Sequence, residues 1–228
     1  MLRKWDALPK EMRNEKVKHY YDALQKKKGS LVLKRLFDIV MSLLGIIISS
    51  PILIILAILI KLDSKGPVFF RQERYTTYGE VFRIYKFRTM VVNADKMGSL
   101  VTARQDARIT KIGSKLRKYR LDELPQLFNI LKGEMSFVGT RPEVKKYVDA
   151  YSDEMWATLL LPAGVTSIAS IQYKDEDEIL AKYPEDINQA YIQYVLPEKM
   201  KYNYEYLNDF SIGKDIQICI QTVLAVLK

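Results

Sequence analysis

The sequence predicts an α+β chain, mostly helical, in which a proline-kinked, re-entrant membrane helix joins a small domain with a short sheet and interfacial amphipathic helices. Three observations carry this. Residues 39–60 are 22 consecutive uncharged residues with Pro51 near their middle. Residues 68–90 hold two extended, aromatic-rich runs separated by a Gly turn. Beyond residue 110 the chain reads as successive helical pieces broken by Pro and Gly.

Taken in order, residues 1–30 form a basic segment in which Trp5, Leu8, Met12, Val17, Tyr20, Tyr21 and Leu24 are spaced among charges. Two readings are open: an amphipathic helix in the lipid interface, or a solvated N-terminal helix. Residues 31–62 carry the apolar block, which as one straight helix would run roughly 33 Å over its uncharged part, enough to cross a bilayer. Proline removes a backbone donor and bends the helix, leaving two arms too short to span alone. Basic residues stand on both flanks: Lys26, Lys27, Lys28, Lys34 and Arg35 before, Lys61, Lys65, Arg71 and Arg74 after. That symmetry favours a segment that dips in at Ser50-Pro51 and returns to the cytoplasmic face, over a kinked spanning helix.

Residues 63–228 are predicted to form the domain that follows the membrane segment. VFFRQER and VFRIYKFRTM read as strands. Alternation puts Ile84, Lys86 and Arg88 on one face, either a phosphate clamp or a solvated polar edge. Residues 110–131 read as two helical pieces, with Asp122-Glu123 just before Leu124-Pro125. Acidic residues there can serve a helix dipole, or can act as nucleophile, base or Mg²⁺ ligand amid cations. Gly133–Gly139 reads as a turn and short strand leading to Arg141, and Leu161–Val165 as a turn. Lys174–Leu180, Leu196–Tyr206 and Ile216–Leu227 read as helices, the last apolar along one side.

Composition narrows the chemistry. The chain is 228 residues long with net charge +9, and one histidine (His19) and one cysteine (Cys219) argue against zinc modules, disulfide frameworks and a His-based triad. The charge is uneven: residues 61–147 carry a net +10, whereas 148–228 carry −7. The middle block is therefore where phosphates or lipid head groups would bind. It has no recognisable nucleic-acid motif, and its carboxylate pair would repel such a polyanion without a metal, so no nucleic-acid partner is expected.

Several motifs in order, KRLFDIV at 34–40, Ser50-Pro51, KFRTM at 86–90 and LRKYRLDELPQLFNILKGEMSFVGTRPE at 116–143, resemble the bacterial sugar transferase family. These are monotopic polyprenyl-phosphate phosphoglycosyltransferases of the inner (cytoplasmic) membrane, with the catalytic domain facing the cytoplasm. About 30 residues precede the motifs, so the small, core-only form is expected. The resemblance implies transfer of sugar-1-phosphate from a UDP-sugar to undecaprenyl phosphate, releasing UMP through a covalent aspartyl intermediate. It makes Asp122 the nucleophile and Glu123 the Mg²⁺ ligand, and places Lys86, Arg88, Arg117 and Arg141 around the substrates. Ser50-Pro51 matches the membrane-helix break. The turn at Arg141 reads Thr-Arg-Pro where the family has Pro-Arg-Pro. Capsule, exopolysaccharide or glycoconjugate assembly is the expected setting, with membrane lipids and downstream glycosyltransferases as partners. A non-catalytic scaffold, or an ordinary glycosyltransferase releasing UDP, are the alternatives. The latter's Asp-x-Asp metal motif occurs only as Asp175-Glu176-Asp177.

Overall fold

The computed structural model describes residues 2–94, 106–173 and 176–227. It is mostly helical, with two two-stranded sheets and one long apolar helix.

That helix, α2, runs from Lys28 to Asp63 with Pro51 inside it. Its most apolar window has a mean hydropathy of 3.0 and only 11% of it is buried, so it has the length and composition of a membrane segment. The predicted interruption at Ser50-Pro51 is absent: helical backbone continues through both residues. The local chemistry accounts for this. Pro51 has no N–H to offer the Ile47 carbonyl, and the Ser50 hydroxyl donates to that oxygen at 2.8 Å instead. Ser49 Oγ donates in the same way to Gly45 O at 2.6 Å.

One stripe of α2 packs against the domain along its whole length. Near its start, buried Lys34 donates to Val138 O and Asp215, while Arg35 donates to the last carbonyls of α4 (Gln126–Lys132), Ile130 O and Leu131 O. Buried Asp38 accepts from Ser136 Oγ and Phe137 N. In the middle, Gly45 lies against Leu127, where a Cβ would sit 3.2 Å from its side chain. Near the end, Leu56 and Ile60 join Phe87 and Leu116 in one apolar cluster, and Asp63 accepts from Ile112 N at 3.1 Å. The opposite stripe is open apolar surface, including Ile48, Ile54, Ile55 and Leu62.

Strands β1 (Phe69–Tyr75) and β2 (Val81–Phe87) form an antiparallel hairpin in the register Phe70↔Lys86, Arg74↔Phe82. Phe82 and Ile84 are buried against α4 and β3 (Met135–Val138), and Phe87 is buried against α2 and α3 (Lys111–Lys118). Buried Asn129 of α4 completes the β2 backbone, accepting from Tyr85 N at 2.8 Å and donating to Arg83 O at 3.1 Å.

The second sheet corrects one expectation. Leu161–Val165 does not simply turn: Ala163–Thr166 is a strand, β4, paired in parallel with β3. Gly139 and Gly164 permit it, since a Cβ on Gly164 would lie 2.2 Å from Gly139 N. A pentapeptide that contains both proline and glycine looks like a turn locally, and only the partner strand makes it extended.

The N-terminal segment is not free, and the domain takes up its apolar face. Its helix α1 (Glu15–Gln25), capped by Asn14, buries Val17, Tyr20, Tyr21 and Leu24 against Leu159, Leu160, Tyr206, Leu207 and Phe210. The last three belong to α9 (Leu196–Asn208) and the turn after it. Four short helices, α5 (Lys145–Val148), α6 (Ile168–Gln172), α7 (Glu176–Ala181) and α8 (Ile187–Ala190), lead to α9 through a π-helical turn, Tyr191–Val195. The terminal helix α10 (Ile212–Leu227) buries Asp215 and Ile218 and exposes Ile216, Ile220, Val223 and Leu224. Of the predicted Lys174–Leu180 helix, Lys174 and Asp175 lie outside the described residues.

Candidate active site

The site is built where β2, the turn after α3 and the loop after β3 converge. Thr110 caps α3, accepting from Gly113 N at 3.0 Å. Gly113 is obligatory for the approach of α3 to the strand exit, because a Cβ there would lie 2.0 Å from Thr89 O. The helix then stops at Arg120, whose φ of 57° is left-handed. An arginine in that conformation stores on the order of 1 kcal/mol of strain. Its effect is to swing the chain into a single 3₁₀ turn, Leu121–Glu123, before Pro125 opens α4. Asp122 and Glu123 are thereby set facing the hairpin and not merely capping α4.

Glu123 is held from two sides. Lys86 Nζ donates to Glu123 Oε1 at 2.8 Å and Arg141 Nη2 to the same oxygen at 3.2 Å. Burial pushes the Glu123 carboxyl up, but the Arg141 and Lys86 charges outweigh it and hold it down at about 2. Lys86 is lowered by burial and by the like charge of Arg141, partly offset by Glu123. Arg141 is raised, mainly by Glu123.

Asp122 is different. It is buried, and burial raises its carboxyl above the ordinary aspartate range, with Lys86 opposing and Glu123 adding to the rise. Among the described residues, Asp122 Oδ1 and Arg117 Nη1 are buried polar atoms without a hydrogen-bond partner. Both residues line one cleft of about 460 Å³, with Phe69, Phe70, Arg71, Arg74 and Lys86 among its walls. Buried polar atoms are almost always satisfied, so an unsatisfied carboxylate oxygen and guanidinium nitrogen in one cleft are positions for a ligand.

The sequence-predicted residues divide accordingly. Asp122, Glu123, Lys86 and Arg141 form one constellation, and Arg117 shares the cleft with Asp122. Arg88 also lines the cleft; its Nη groups donate to Lys65 O and Ser64 O at 2.7 Å each at the end of α2, while its Nε is buried without a hydrogen-bond partner. It caps that helix. Ser50 and Pro51 lie away from the cleft on α2. Of Asp175-Glu176-Asp177, Asp175 falls outside the described residues, and Glu176 pairs with Lys199 at 3.0 Å.

A metal has few protein ligands here. Among the described residues no group of three or more His, Cys, Asp or Glu side chains could hold one. Both cations bound to Glu123 land on Oε1, and Asp122 Oδ1 has no partner. One or two carboxylate oxygens fit Mg²⁺ that takes its other ligands from substrate phosphates and water.

The bacterial sugar transferase profile matches residues 29–228. The chain belongs to the bacterial sugar transferase family. Within the family it is 35% identical over 199 residues to a protein of Aeromonas hydrophila named UDP-N-acetylgalactosamine-undecaprenyl-phosphate N-acetylgalactosaminephosphotransferase, covering 86% of this chain and 44% of that protein. It is 37% identical over 200 residues to UDP-glucose:undecaprenyl-phosphate glucose-1-phosphate transferase of Klebsiella pneumoniae, covering 85% and 40%. It is 32% identical over 197 residues to the sugar transferase EpsL of Bacillus subtilis (strain 168), covering 86% and 88%. The chain thus spans less than half the length of the first two relatives and most of the third.

Two features of this family member have no mark in the local sequence. Arg74 shares the hairpin face of Lys86, is half-buried, and donates to Pro142 O at 3.1 Å, tying β1 to the Arg141 loop. Its signal is the register across the hairpin, which a single strand does not reveal. Asn129 locks β2 onto α4; an asparagine within LPQLFNIL carries no local sign of that role.

Proposed function

We propose that the protein transfers sugar-1-phosphate from a UDP-sugar to undecaprenyl phosphate, releasing UMP, with Asp122 as nucleophile. The observation that carries this reading is the contrast within the carboxylate pair. Glu123 is bound by two cations, whereas Asp122 Oδ1 has no partner and lines a cleft walled by arginines and a lysine. The names of the relatives supply the reaction class.

In the first step an Asp122 carboxylate oxygen attacks the phosphorus that bears the sugar. The bond from that phosphorus to the bridging oxygen breaks, and UMP leaves with the bond's electron pair. In the second step an oxygen of undecaprenyl phosphate attacks the same phosphorus, the aspartyl–phosphorus bond breaks, and Asp122 returns as carboxylate. Lys86, Arg117 and Arg141 offset the repulsion between a carboxylate and a diphosphate, and stabilise charge on the equatorial oxygens. Mg²⁺, held by Glu123 and the substrate phosphates, would supply further charge neutralisation. The raised Asp122 carboxyl favours attack, because a poorly solvated carboxylate is a stronger nucleophile than a well hydrated one.

The same reading places α2 in the membrane from one side. A helix that crossed the bilayer would leave its domain for about 20 residues. Here the start, middle and end of α2 all contact the one domain. The open apolar stripe of α2 and the exposed apolar residues of α10 would then face lipid, with the cleft at head-group level on the cytoplasmic face of the inner membrane. Exopolysaccharide or capsule assembly is the setting that fits.

The test is nucleotide release from purified protein, Mg²⁺, undecaprenyl phosphate and a panel of UDP-sugars, with UMP and UDP assayed separately. UMP from one donor supports the reading. UDP would establish ordinary glycosyl transfer and remove Asp122 from its role.

A further inference from the structure

The loop that carries Arg141 is gripped by the strands on either side of it. Tyr75 N donates to Glu143 O at 3.0 Å and Gly164 N to Thr140 O at 2.9 Å, so its backbone is fixed at both ends. The Glu143 side chain is buried, and its carboxylate is an electrostatic neighbour of both Arg141 and Arg74. On its far side it accepts a hydrogen bond of 2.6 Å from the Tyr191 hydroxyl.

Tyr191 is itself tightly set. It is 4% exposed, opens the π-helical turn before α9, and stacks on Tyr147 with ring centroids 4.3 Å apart. Lys199 Nζ donates to its hydroxyl at 3.2 Å and pairs with Glu176 at 3.0 Å. Burial and the Glu143 charge keep the phenol protonated, so it remains a donor. A π-turn is a rare backbone form that is frequent at functional sites. Here it aims a phenol at the carboxylate two residues from Arg141, the arginine that holds Glu123.

We propose that Tyr191 is a positioning residue for Arg141, acting through Glu143: its hydroxyl anchors the Glu143 carboxylate so that Arg141 is presented to Glu123 and to the donor diphosphate. Unanchored, a buried carboxylate two residues from Arg141 would turn to pair with it directly and draw the guanidinium off Glu123. The inference rests on the phosphosugar-transfer reading, and it adds a residue from the C-terminal third to that site.

The experiment compares Tyr191→Phe, Glu143→Gln and the double variant in the UMP-release assay, with UDP binding measured by calorimetry. Tyr191→Phe removes one oxygen and keeps the stack. It should raise the KM for the UDP-sugar and weaken UDP binding by roughly tenfold, the scale of a lost hydrogen bond to a charged group, while kcat stays within about twofold. In the Glu143→Gln background the same change should add nothing, because there is no carboxylate left to anchor. A merely structural tyrosine would lower the unfolding temperature and the active fraction without moving KM, and would act independently of Glu143. KM and UDP binding unchanged in Tyr191→Phe, or effects that multiply in the double variant, would overturn the proposal. Should Tyr191→Phe not fold, Glu143→Gln alone must still change KM, and an unchanged KM there overturns it equally. Wild-type protein that releases no UMP with any donor would instead count against the reaction assignment.

Discussion

Lys34→Met tests how α2 is fastened to the domain. Lys34 and Asp215 side chains are 5% and 0% exposed, and their N···O distance is 2.7 Å. Lys34 also donates to Val138 O at 2.8 Å, and Tyr206 OH donates to Asp215 Oδ1 at 2.7 Å. Removing the ammonium leaves a fully buried carboxylate held by the phenol but without its counter-charge, and strips the Val138 carbonyl of its best donor. Breaking a buried ion pair from one side costs about 3–5 kcal/mol, because the remaining charge is uncompensated. For a chain of this size each kcal/mol lowers the melting temperature by about 2–4 °C, so the variant should melt roughly 6–20 °C lower. Far-UV circular dichroism of the detergent-solubilised protein during a thermal scan reads this directly. Adding Asp215→Leu should restore most of the loss, since an apolar pair replaces a buried ion pair at little net cost. A shift under about 2 °C for Lys34→Met would refute the claim that this network secures the helix.

Three further outcomes follow from the site and from α2. Asp122→Asn should abolish UMP release yet melt no lower than wild type at neutral pH. Its raised carboxyl means that the stability associated with Asp122 is present at acid pH and lost as pH rises through the folded value, so removing the ionised form relieves a penalty. The pH–rate profile should show an acid limb centred above 3.8, the ordinary value for Asp122, with Glu123, held at about 2, ionised throughout it; a limb at or below that value would contradict the burial argument. Ser50→Ala should destabilise α2 by about 1 kcal/mol, because the Ile47 carbonyl then loses the hydroxyl that replaces the Pro51 N–H; an unchanged melting temperature would show that the carbonyl is satisfied otherwise.

Much of the fold and the site is legible in the sequence itself. The long uncharged run marks α2, Pro125 marks the start of α4, and alternation in IYKFR puts Lys86 on the face that meets Glu123. What stays hidden depends on partners distant in sequence. Arg88 lies close to Lys86 and reads as another phosphate ligand, but the strand ends at Phe87, and Arg88 turns back to cap α2. The N-terminal aromatics read as lipid-facing or solvated because the surface that buries them, around Leu160 and Tyr206, lies about 140–190 residues away in sequence. Ser50-Pro51 carries a break signal that the neighbouring hydroxyl repairs locally.

The measurement that bears most directly on the central claim is intact mass and UMP release on incubating the protein with Mg²⁺ and its UDP-sugar, without undecaprenyl phosphate. The account predicts one equivalent of UMP per active site and a phosphosugar adduct that maps to Asp122, disappears on adding the lipid phosphate, and is absent from Asp122→Asn. UMP formed only after the lipid is added, with no adduct at any time, would contradict it.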